Sequence, residues 1–191
     1  MAPRAGSTGN SYLYVRDGLD LRPRLAGWFS DADPFGFHAE PADHPGVRRR
    51  FLAGTTAVAS MYHAVEGLRV LLAAEDGPLS GVEAVRADTL AKGEIAVGRA
   101  AALGLGLRSP AAPERRGAML VFEVDGADRL SAWLKSRGVY TDSRRGRLLR
   151  MAPFVWNTAA EVERAFDAAE EALGSGAHLG YTAPAEGGPV T

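Results

Sequence analysis

The sequence predicts an α/β chain whose C-terminal third is a small α+β lobe: a short, mainly antiparallel sheet with helices on one face, preceded by two long linking helices. Three observations predict it. Between residues 57 and 103 apolar residues recur at helical spacing. From Gly104 the period shortens and the order becomes strand, helix, strand, strand, helix. Residues 19–50, with Pro23, Pro34, Pro41 and Pro45 among scattered aromatics, keep neither period.

Composition sets the bounds. The 191 residues, 46% hydrophobic and with a net charge of -1, suffice for one core or two small lobes and give no argument for a nucleic-acid or membrane partner. The absence of cysteine removes disulfides, thiolate metal sites and a cysteine nucleophile, and fits a cytoplasmic protein. The first residues, MAPRAGSTGNSY, lack the apolar stretch of a secretory signal. Lys92 and Lys135 are the only lysines, so amine chemistry has two candidates.

Tyr12–Val15 reads as a short strand with no neighbouring sheet nearby in sequence. The long loop that follows holds Trp28, Phe29, Phe35 and Phe37, which need a surface to pack against. Residues 57–74 form a helix with Val58, Met61, Val65, Leu68 and Leu72 on one face; Thr55 or Thr56 is the expected N-cap, beside amides suited to an anion. Gly77-Pro78 breaks the chain. A second helix covers 79–103, with Val82, Val85, Leu90 and Ile95 as core candidates and weak points at Gly93 and Gly98.

In the last third, strands are expected at 105–108, 118–124, 139–141 and 148–151. A helix covers 126–137 and ends at Gly138. An arginine-rich turn joins the last two strands. Thr158, with Glu161 three residues on, opens a helix to Leu173 bearing Val162, Phe166 and Ala169. Residues 174–191, rich in Gly, Ala and Pro, read as a disordered tail.

No metal-ligand spacing, P-loop or G-x-S-x-G is present. His38 and His44 share a loop with Glu40 and Asp43, which reads as solvated. Two weaker candidates remain. Arg150 interrupts the last strand, and a guanidinium is a good fork for a carboxylate; an outward surface charge is the plainer reading. Thr55, at a helix start, suits a phosphate. A condensate of an amino acid with pyridoxal phosphate carries both groups.

Tyr12-Leu13-Tyr14-Val15, Gly27-Trp28-Phe29, Phe51-Leu52-Ala53-Gly54-Thr55, Arg116-Gly117 with Val121-Phe122-Glu123, Arg137-Gly138-Val139 and Leu149-Arg150-Met151-Ala152-Pro153 occur in that order. Over about residues 7–173 the set resembles kynureninase, in the class V aminotransferase group of fold type I pyridoxal-phosphate enzymes. The resemblance implies the C-terminal portion of that fold, with Trp28 and Thr55 at the cofactor phosphate of a neighbouring subunit and Arg150 on the substrate α-carboxylate. It implies hydrolysis of the Cβ–Cγ bond of a kynurenine-type amino acid. In the family a Schiff-base lysine precedes the strand matching Tyr12–Val15, and counting back reaches about Met1, so neither Lys92 nor Lys135 matches it.

The expected organisation is a large-domain remnant and interface loop at 1–56, linking helices at 57–103, the small domain at 104–173 and a tail. The expected partners are a second copy or a chain carrying the N-terminal half, the lysine included, together with a small amino-acid substrate. Two other readings stay open: a non-catalytic remnant kept as a dimerising lobe, and another class V activity (aminotransferase, desulfurase or C–S lyase).

Overall fold

The structure, a computed structural model, describes residues 12–40 and 42–182. The chain divides into two compact units, one running to Leu68 and the other starting at Arg69.

The first unit is irregular, as its prolines dictate. Tyr12–Val15 forms no strand; a strand needs a paired neighbour for its backbone groups, and this stretch has none. Short 3-10 turns at Trp28–Ser30 and Arg49–Phe51 give the loop its shape. Ser30 ties the first turn down: its hydroxyl accepts from the Gly27 amide at 2.9 Å and donates to the Leu52 carbonyl at 3.1 Å. Arg50 holds the loop from the other side, donating to the His44 carbonyl at 2.7 Å and to Asp20. His44 accepts from the Gly46 amide, and His38 faces Asp31 at 3.5 Å.

Helix α1 covers Val58–Leu72. The cap position falls on Ala57, whose carbonyl accepts from the Met61 amide, and not on Thr55 or Thr56. The apolar stripe expected to be core (Val58, Met61, Val65, Leu68, Leu72) is exposed, and Ala64 is the buried residue of this helix.

In the second unit, Gly77-Pro78 does more than break the chain. With Gly77 at φ +56°, it turns a two-stranded hairpin, β1 (Glu75–Asp76) on β2 (Leu79–Ser80). Helix α2 follows at Gly81–Ala102. Its buried face is Ala84, Val85, Thr89, Lys92, Gly93, Ala96 and Ala100, whereas Val82 is exposed. Small side chains let α2 lie close to its neighbours.

The main sheet is β3 (Gly106–Leu107), β4 (Leu120–Glu123), β5 (Asp142–Arg144) and β6 (Leu148–Met151), all antiparallel in the order β3-β4-β6-β5. Helices α3 (Ala127–Ser136) and α4 (Ala159–Ser175) complete the lobe. Leu120, Phe122 and Leu149 face α2, α3 and α4, packing on Ala96, Ala100, Leu130, Leu134, Val162 and Phe166. Phe122 and Phe166 meet edge to face at 6.0 Å, a pair worth about 1 kcal/mol beyond its burial. Strand alternation turns Val121, Glu123, Leu148 and Arg150 to the opposite, helix-free face.

The expected strand at 139–141 is displaced to Asp142–Arg144. The cause is the end of α3. Gly138, at φ +79°, and Val139 donate to the Lys135 and Leu134 carbonyls, a Schellman closure that consumes the amides a strand would use. The arginine-rich turn is therefore shorter than expected. Arg145 and Gly146, both at positive φ, make a tight reversal from Arg144 to Arg147.

The capping box of α4 is as expected: Thr158 Oγ1 accepts from the Glu161 amide and the Glu161 carboxylate accepts from the Thr158 amide. Beyond Leu173 the chain is not a free tail. α4 runs to Ser175, a 3-10 turn covers Ala177–Gly180, and the buried His178 ring meets the Ala172 carbonyl at 2.8 Å. The remainder of the expected tail, 183–191, lies outside the described residues.

Candidate functional site

Arg150 is placed by pairing on both sides. Across the sheet it is opposite Val121 of β4 and Asp142 of β5. Because directly opposed residues share a face, Asp142 meets the guanidinium on the helix-free side, and its Oδ2 accepts from Arg150 Nη2. The other Asp142 oxygen accepts from Arg144. The Arg150 side chain is 24% exposed, and its Nε is buried without a hydrogen-bond partner. A buried, unpaired N–H on an arginine is a donor awaiting an acceptor.

The loop after β6 is held by Lys92. Its ammonium, 5% exposed, donates to the Phe154 and Asn157 carbonyls at 2.8 and 2.7 Å and pairs with Asp88 at 2.6 Å. Asn157 also closes the turn on itself, its side chain accepting from the Phe154 amide. Lys92 thus fixes the segment that joins β6 to α4. Sequence reasoning weighed Lys92 only as an amine nucleophile; the Asp88–Lys92 spacing of one helical turn was the available signal for its structural use.

Arg86 and Arg116 fix the segment before β4. Arg86 donates to the Arg116 and Pro113 carbonyls at 2.6 and 3.0 Å. The buried Arg116 pairs with Glu94 of α2. Arg99 joins α2 to α4 through Glu163 at 2.5 Å, Asp167 at 2.7 Å and Glu170 at 3.2 Å. Those carboxylates hold its guanidinium still more firmly in the charged form.

Trp28 and Thr55 belong to the first unit, where the structure brings their segments together. A Cβ on Gly27 would sit 1.7 Å from the Ala53 carbonyl oxygen, so the two motifs touch through backbone and position 27 admits only glycine. Trp28 stacks on Phe37 and meets Phe29 and Phe35 edge on. Its indole N–H donates to the Pro34 carbonyl. Thr55 is exposed in the bend that precedes α1. Asp31 is buried beside this cluster, its carboxyl held below the usual range by the Asp33 amide, then by His38.

Each unit is tested separately against the groups of a pyridoxal phosphate–amino acid condensate. Thr55 offers an accessible hydroxyl to a phosphate, and Arg150 offers donors to a carboxylate. A covalent lysine is lacking. Lys92 is sequestered, and Lys135 lies on α3, across the sheet from Arg150.

The lobe has the fold seen in the C-terminal portion of fold type I pyridoxal-phosphate enzymes. A cysteine desulfurase from Thermococcus onnurineus NA1 superposes with a TM-score of 0.60 at 17% identity, over 80% of this chain and 40% of that one. A NifS-like protein does so with a TM-score of 0.55 at 20% identity, over 85% and 41%. Residues 87–168 match the family model of the kynureninase C-terminal domain. The chain is 31% identical over 165 residues to an uncharacterised aminotransferase, YcbU, of Bacillus subtilis, and 31% identical over 150 residues to a kynureninase of Shouchella clausii. These alignments take in 85% and 74% of this chain but 41% and 33% of the relatives, so the chain spans well under half the length of the relatives it matches.

Proposed function

We propose that this chain supplies the carboxylate-binding lobe and the phosphate-side loop of a kynureninase-like enzyme, which hydrolyses the Cβ–Cγ bond of a kynurenine-type amino acid to alanine and an anthranilate. The observation that carries the reading is Arg150: partly buried, on the helix-free face, with an unsatisfied Nε. Arg150 binds and orients the α-carboxylate. The Thr55 hydroxyl and the Trp28 ring hold the phosphate end of the cofactor. Pyridoxal phosphate, when bound, supplies the electron sink at the amino acid's α-carbon. The covalent lysine comes from outside these 191 residues, in this proposal from a partner chain that brings the rest of the fold. The exposed stripe of α1, with Tyr12, Leu13 and Tyr14, supports such a partner, because apolar surface of this extent marks an interface.

Co-expression with the adjacent gene product tests this. The expected result is a stable complex that carries the cofactor absorbance and releases alanine and anthranilate from L-kynurenine. Arg150→Lys in that complex raises KM roughly tenfold or more, because an ammonium cannot make the bidentate fork. Failure to associate, or an unchanged KM in Arg150→Lys, overturns the proposal. The likeness to YcbU favours an aminotransferase as the second reading; it predicts a keto acid in place of anthranilate.

A further inference from the structure

The geometry points to Asp142 as the positioning residue for Arg150, an inference that rests on the carboxylate-binding role proposed above. Its two carboxylate oxygens are divided between two arginines: Oδ2 accepts from Arg150 and Oδ1 from Arg144. The backbone enforces the arrangement, since Asp142 and Arg150 are register partners across β5 and β6, and Arg144 lies two residues along β5 on the same face. A carboxylate gripped from the far side by Arg144 cannot swing to chelate Arg150 through both oxygens. It takes a single contact, at Nη2.

Three consequences follow. The guanidinium plane is fixed before any ligand arrives, so little side-chain freedom is lost on binding. Part of the fork stays uncommitted; among the described residues Asp142 is the one group that the Arg150 guanidinium bonds. And the strip Arg144–Asp142–Arg150 keeps a net charge of +1, which one substrate carboxylate neutralises. The competing reading makes Asp142 an internal substitute for the substrate carboxylate, to be displaced on binding. Its single contact and its second tie to Arg144 argue against that.

The two readings differ in sign. In the reconstituted enzyme with L-kynurenine, Asp142→Ala raises KM by roughly tenfold, the loss of one charge-assisted hydrogen bond's worth of orientation, while kcat stays within about twofold. Asp142→Asn retains an acceptor oxygen and restores part of the loss. In the chain alone, NMR of the Arg150 side chain shows slow rotation of the guanidinium in the wild type, faster rotation in Asp142→Ala and an intermediate rate in Asp142→Asn. Thermal melts of both variants separate misfolding from mispositioning. A lowered or unchanged KM in Asp142→Ala, or guanidinium rotation that does not respond to either variant, overturns the inference. If Arg150→Lys also leaves KM unchanged, the carboxylate-binding role falls; if Arg150→Lys raises KM and Asp142→Ala does not, only the positioning role falls.

Discussion

Lys92→Met separates a structural lysine from a chemical one. Methionine matches the buried stem and removes the ammonium. Three contacts are lost: the Phe154 carbonyl at 2.8 Å, the Asn157 carbonyl at 2.7 Å and Asp88 at 2.6 Å. They are not equal. The Phe154 carbonyl keeps a second donor, the Asn157 amide at 2.9 Å. Asp88, although its side chain is 38% exposed, meets Lys92 through Oδ2, which is buried without another hydrogen-bond partner and is left unpaired. The Asn157 carbonyl loses its charged donor outright. A contact from a charged donor is worth about 1.5–3 kcal/mol, so the two uncompensated ones are worth about 3–6 kcal/mol, and relief of ammonium desolvation returns part of that, which leaves a net loss of about 2–4 kcal/mol. That is a large fraction of a typical domain stability of about 5–15 kcal/mol. Urea unfolding followed by far-UV circular dichroism measures it, and an unchanged m-value certifies that the native and unfolded states are otherwise the same. Trp156, in the released turn, reports the local loosening by fluorescence. Asp88→Asn costs less than Lys92→Met, and because the two side chains are in contact they couple by about 0.5–3 kcal/mol. A loss below about 0.5 kcal/mol for Lys92→Met would refute the reasoning, because it would mean a hydrated ammonium. The same sequestration predicts that borohydride reduction in the presence of pyridoxal phosphate leaves the Lys92 peptide without a pyridoxyl adduct by mass.

Thr158→Ala removes the N-cap acceptor of α4 and lowers stability by about 1 kcal/mol, read from the urea midpoint. Glu161 carries a pH signature: the Thr158 amide, bonded to its carboxylate, holds its pKa below the ordinary glutamate value of 4.5. Its contribution is therefore present above about that pH and lost as pH falls through the folded pKa, so an acid titration of Glu161→Gln shows a smaller loss than the wild type. Gly98→Ala raises stability by about 0.5–1 kcal/mol, because the position is exposed in α2 and an added Cβ meets nothing within 4 Å; a lowered melting temperature would contradict this. Gly27→Ala drives a Cβ into the Ala53 carbonyl and separates the Trp28 and Thr55 segments, so limited proteolysis between residues 27 and 55 accelerates while the sheet lobe keeps its circular dichroism.

The sequence was most legible where local chemistry decides the structure. Thr158 with Glu161, Gly138 and the period change at Gly104 each carry their own signal, and each marks a real boundary. Legibility failed where the deciding partner is remote. The α2 face that packs is mostly small residues with a lysine and a threonine; of the apolar candidates Val85 is buried and Ile95 packs on the core, whereas Val82 is exposed. The stripe on α1 satisfied a search for large apolar residues and is exposed. The strand assigned to 139–141 had the right residue types, but the amides were already committed to closing α3. Arg150 was found from its motif, whereas Asp142 lay in what read as the approach to a turn; only the register of β5 on β6 makes the two neighbours.

The sheet itself decides where the chemistry can be completed. Leu149 and Arg150 are consecutive, so they face opposite sides: Leu149 enters the core with α3 and α4, and Arg150 looks away from it. Lys92 and Lys135 both ride on helices packed against the Leu149 side. No side-chain rotation carries either amine through a packed sheet to a carboxylate held on Arg150. An amine that shares the substrate with Arg150 must approach from the helix-free face, the face that carries Val121, Glu123 and Asp142. A crosslinking experiment follows from this. With photoreactive benzoylphenylalanine substituted at Val121, the co-expressed partner should be captured, whereas the same substitution at the exposed Lys135 position should capture none. Capture from position 135 alone would place the partner on the wrong side of the sheet and remove Arg150 from the shared site.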